Sequence, residues 1–147
     1  MEKIKVIKTT ILAVLGIIGS VIANILGGWD TALQTLIVFM GMDYVTGLVT
    51  AGVFKKSGKS ESGALESLAG WKGLCRKGMT LLIVLVATQL DRVMGTEAVR
   101  TAVIIGYIAN EALSIIENAG LMGLPIPKLL TDAIDILKKK SEGETDA

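Results

Sequence analysis

The chain has 147 residues, 51% of them hydrophobic, 4% aromatic and 20% charged, with 15 Lys and Arg against 14 Asp and Glu. It has no histidine and one cysteine, Cys75. That excludes an internal disulfide and a Cys/His metal centre, and it removes the usual base for nucleophilic catalysis, so neither an enzyme nor a cofactor is expected.

Composition alone resembles that of a soluble domain, but the distribution does not. Residues 9–29, 31–42 and 78–90 carry no charge. The expected fold is therefore an all-α membrane protein with about four transmembrane helices and a C-terminal amphipathic helix. Residues 1–140 form a single membrane domain, and 141–147 a disordered polar tail.

The first span is expected at residues 9–28. A basic stretch with Lys3, Lys5 and Lys8 precedes it. The apolar run is longer than a signal-peptide core and lacks a clear cleavage site, so it reads as a retained helix. Gly16, Ser20, Ala23 and Gly27 recur at helical spacing. Such a stripe fits a contact between copies or packing within one chain. Trp29 is placed for headgroup depth.

The second span is expected at 31–54, with Asp43 near its middle and Gly47 and Ala51 as a further close-packing pair. Residues 55–77 form a basic connection containing Lys55, Lys56, Lys59, Lys72, Arg76 and Lys77. Between membrane helices such a run reads as topology and lipid contact, not nucleic-acid binding. Leu65, Leu68, Trp71, Leu74 and Cys75 sit at helical spacing and suit an interfacial helix, although Gly63, Gly70 and Gly73 weaken it. The third span, 77–94, is short. Lys77 snorkels at one end, and Asp91 and Arg92 lie near the far surface.

The fourth span, 100–124, carries a polar stripe: Tyr107, Asn110, Glu111, Ser114, Glu117 and Asn118. Asp43 and Glu111 fall at similar depth near mid-membrane. Each costs roughly 2.5–3.5 kcal/mol at the centre of a lone inserted helix. No cation is expected at that depth, since Arg100 is ~16 Å from Glu111 at ~1.5 Å per residue. Protonation, hydrogen bonds to Asn110, Ser114, Gln89 or Thr88, or a water-filled space remain. The six stripe residues and Asp43 are thus candidates for a pore lining or a polar seam. A last helix, 127–140, has an apolar face but is too short and charged to span. It is expected on the membrane surface or against a partner. Thirteen of the 15 basic residues fall on the side of both termini and the middle connection, which places that side in the cytoplasm.

Residues 107–130, YIANEALSIIENAGLMGLPIPKLL, resemble the C-terminal signature of a bacteriophage holin family, which includes lysis holins of phages of Gram-positive bacteria and toxin-secretion holins. The signature residues are Tyr107, Asn110, Glu111, Ser114, Ile115, Glu117, Asn118, Gly123, Pro125 and Pro127. Asp43 to Gly47 and Gly73 to Lys77 also look like family positions. The likeness covers residues 43–137; the first helix matches only in being apolar. The resemblance implies a homo-oligomer in the lipid bilayer of the host bacterial cytoplasmic membrane, which permeabilises it so that a cell-wall hydrolase or toxin escapes. Partnership with an endolysin is functional and implies no direct contact. A small cation channel or transporter, and a non-conducting scaffold or antiholin, are the alternatives left by the same carboxylates.

Overall fold

A computed structural model describes residues 1–143; the expected tail beyond Gly143 lies outside the described residues. The described chain is five α-helices without a strand: α1 Glu2–Ile25, α2 Thr31–Val49, α3 Ser67–Met94, α4 Ala98–Leu121 and α5 Lys128–Ser141. A π-helical turn, Thr50–Phe54, extends α2. Helices α1, α2 with its extension, α3 and α4 are each long and apolar enough to cross a membrane.

Helix α4 is the centre. It packs against α2, α3 and α5, whereas α2 and α3 touch each other little. Leu33, Leu36 and Met40 of α2 close on Val84 of α3 and on Ile104 and Ile108 of α4, with Leu26 sealing one end. α1 is different. It buries none of its residues, and its apolar side chains point outward all round. A helix apolar on every side needs lipid or another helix to cover it. A Cβ at Gly16 would meet nothing within 4 Å, Ser20 is exposed, and Gly27 lies beyond the helix end, in the turn.

That turn end is tied by Arg100. Its Nε donates to Leu26 O at 2.6 Å, and its guanidinium forks onto Asp30 at 2.6 and 3.2 Å. Asp30 also caps α2, accepting from Leu33 N at 2.9 Å. Asp91, buried at the end of α3, accepts from the backbone N–H groups of Val99 and Arg100 at 3.1 and 2.7 Å and so caps α4. Gly27 has φ +93°, and a Cβ there would collide with Arg100, so only glycine suits both the turn and the guanidinium. The Arg100 hydrogen bond holds the Asp30 carboxyl below the usual carboxylate range, against a partial burial that pushes it up.

Two elements differ from expectation. α3 starts at Ser67, ten residues before residue 77, because Gly70 and Gly73 do not break it; they face Tyr44 of α2 at contact distance. Lys77 therefore lies inside the helix, not at its end. α5 does not lie apart on a surface. Gly123 (φ +87°) and Pro125 turn the chain back, and α5 runs antiparallel along α4. Ile134 inserts at Ala109 and Ala112, whose small side chains leave the room, and Ser141 sits over Gly106.

Candidate functional site

Three helices converge on the ammonium group of Lys77. It lies 2.8 Å from Asp43 Oδ2 of α2 and 2.6 Å from Glu111 Oε2 of α4. All three side chains are shielded, Lys77 at 13% exposure and each carboxylate at 9%. The expectation that no cation reaches the two acids is thus wrong. The reason is the register of α3: at ~1.5 Å per residue, Lys77 is ~15 Å into that helix, level with both carboxylates.

One ammonium between two carboxylates leaves a local charge of −1. Lys59, from the loop between α2 and α3, offsets it. Its Nζ lies 3.4 Å from Asp43 Oδ1 and donates to Ser114 Oγ at 3.2 Å. Asn118 Nδ2 donates to Thr46 Oγ1 at 3.0 Å and to Asp43 Oδ1 at 3.4 Å. No buried side-chain nitrogen or oxygen among the described residues lacks a partner. The hydrogen bonds expected from Gln89 and Thr88 do not form with these acids. Thr88 instead bonds Leu26 O and Val84 O, and Gln89 is exposed.

The cluster opens onto a cleft of about 460 Å³ between α2, α3, α4 and the Lys59 loop. Tyr107, Asn110, Ser114 and Glu117 line its α4 wall; Asn110 and Glu117 are exposed. That volume holds on the order of ten water molecules at ~30 Å³ each. Of the seven stripe and seam residues expected from sequence, Asp43, Glu111, Ser114 and Asn118 join one polar network, and the other three line its mouth. Gly47 lies near the Asn118 amide, and Ala51 is buried. Lys77 and Lys59 are the residues that sequence reasoning misses. A signal for Lys77 exists: it is in helical phase with Thr80, Val84, Ala87, Thr88 and Asp91, all buried.

The arrangement is a closed electrostatic clamp. Removing one partner of a buried ion pair strands a charge at ~3–5 kcal/mol, so the cluster tolerates either its full complement or access to water. Among the described residues no group of His, Cys, Asp or Glu is placed to hold a metal.

Comparison with known proteins gives a consistent picture. Residues 20–139 match the profile of the Bacteriophage holin family. The chain is similar to an uncharacterised 14.9 kDa protein of Clostridium perfringens, 40% identical over 84% of this chain and 89% of the relative. It is similar to an uncharacterised protein of Listeria innocua, 36% identical over 87% of this chain and 86% of the relative. A probable holin of Bacillus phage phi105 is 34% identical over 78% of this chain and 79% of the relative. No solved structure matches.

Proposed function

Since the chain belongs to the bacteriophage holin family, we propose that it is a pore-forming holin of the bacterial cytoplasmic membrane. It oligomerises there, permeabilises the membrane and lets a cell-wall hydrolase or a toxin out; it does no catalysis. The amino terminus and the loop that carries Lys59 face the cytoplasm, in keeping with the bias of basic residues, and α5 starts on that side. The observation that carries this reading is the Lys77 clamp between Asp43 and Glu111, shielded in the helix bundle yet beside a cleft with polar lining. Ion-paired, the carboxylates are tolerable inside one chain. Parted, they need water, and a ring of chains provides it as a polar wall.

One chain with four spans is too small to enclose a wide channel and shield it from lipid, so the hole requires many copies. The decisive experiment is induced expression in bacteria with markers of graded size. A holin releases a folded cytoplasmic enzyme. A narrow cation channel dissipates the potential but retains the enzyme, and cells that stay energised and impermeable at high expression sink both readings. The completeness of the clamp favours one further reading, a non-conducting antiholin held permanently closed. In that case Glu111→Gln with Asp43→Asn leaves lysis timing unchanged.

A further inference from the structure

The position of α5 raises a problem that the pore reading alone does not solve. α4 has 24 residues, about 36 Å at ~1.5 Å per residue. Ser141 sits over Gly106, which is only ~12 Å from the start of α4. The end of α5 therefore passes the midpoint of the membrane-crossing helix it packs on. Yet Lys128, Asp132, Asp135, Lys138, Lys139 and Lys140 are all exposed on α5, and only Ile134 of this helix is buried. Lysines reach several ångströms toward an interface, but the two aspartates are too short to do so. Hydrocarbon does not cover such a face.

The rest of the chain has a different outer surface. α1 is uncharged from Thr9 to its end at Ile25, and α3 turns Leu82, Val86 and Leu90 outward. α5 lies on the Ala109 and Ala112 side of α4, whereas α3 meets the Glu111 side. The chain thus has lipid-compatible flanks and, apart from the polar cleft, a flank on α5 that is not.

We propose that the outward face of α5 is an aqueous wall of the assembled pore, a second lining element besides the α4 stripe. This rests on the pore reading above. In the oligomer α1 and the outer side of α3 meet lipid, while Asp132, Asp135 and the lysine-rich end of α5 face the permeating solution. Docking of α5 on α4 is stable at depth because water, not acyl chain, bathes its other side.

The test uses the full-length protein in planar bilayers, in a Cys75→Ser background. Single cysteines replace Asp135 and Lys139 on α5, with Val86→Cys on α3 as the lipid-side control. A cationic methanethiosulfonate reagent is expected to modify both α5 cysteines and to lower single-channel current by about twofold, leaving the α3 variant unchanged. Replacing Lys138, Lys139 and Lys140 together by Glu is expected to raise the potassium-to-chloride permeability ratio roughly threefold or more. Conducting channels whose α5 cysteines stay unmodified, or react without changing current, place α5 outside the conduction path and overturn this inference alone. Absence of conductance in every variant, wild type included, overturns the pore reading and this one with it.

Discussion

Replacing Lys77 by Met tests the clamp most directly. Contacts of 2.8 and 2.6 Å to the shared ammonium place the two carboxylate oxygens no more than 5.4 Å apart. With the ammonium gone, two unit charges at that distance repel by about 3 kcal/mol at an effective dielectric of ~20. The figure agrees with the ~3–5 kcal/mol lost when a buried pair is broken on one side. Lys59 relieves little of it, because it is half exposed and Asp43 is the one carboxylate it pairs with among the described residues. A shift of about 3 kcal/mol moves the balance between clamped and parted helices on the order of a hundredfold. Lys77→Met is therefore expected to permeabilise cells earlier than wild type at equal membrane abundance, measured by immunoblot and by release of a cytoplasmic enzyme. Adding Asp43→Asn and Glu111→Gln removes the stranded charges and is expected to return timing toward wild type. Wild-type timing in Lys77→Met, or no recovery in the triple variant, refutes the clamp as the determinant of closure.

The remaining predictions concern the turn end and α5. Arg100→Ala strips charged hydrogen bonds from Leu26, Gly28 and Asp30, each worth about 1.5–3 kcal/mol, and is expected to lower Tm in detergent by several degrees. Arg100→Lys does not restore it, because an ammonium cannot reproduce the fork. The depressed Asp30 carboxyl adds stability that is fully present above its unfolded pKa and is lost as pH falls through the lower folded value. Acid unfolding of wild type in detergent is expected to show this loss below the ordinary carboxylate range, and Asp30→Asn to lack it. Gly106→Leu drives a side chain into Ser141, already 3.3 Å from where a Cβ would stand. Residues 128–141 are then expected to exchange amide hydrogens faster while α2 and α3 keep their protection; unchanged exchange in α5 contradicts the docking.

Much of this architecture is legible in the sequence, because lipid imposes long uncharged runs and these mark α1, much of α2 and the second half of α3 plainly. Depth counting also works. It sets Asp43 and Glu111 level, and one ammonium does reach both. What the sequence hides is register. Gly70 and Gly73 read as helix weakness, so the start of α3 slips by about three turns and Lys77 moves from the interior to an end. Arg100 likewise reads as a surface charge; its carbonyl partners, Leu26 and Gly28, carry no side-chain signal of an acceptor. The fold-back of α5 depends on the room beside Ala109 and Ala112, a property of shape that periodicity does not encode.

The Arg100 staple and the Lys77 clamp stand at different heights, and that difference sets a direction. Asp91, beside the staple, is 14 positions from Lys77, or about 21 Å along α3. Releasing the clamp with the staple intact leaves the helices joined like tongs at their pivot. A 10° splay then parts the free tips by about 6 Å over a ~36 Å helix, while the joined end scarcely shifts. A bundle held in this way yields first from the side of the Lys59 loop.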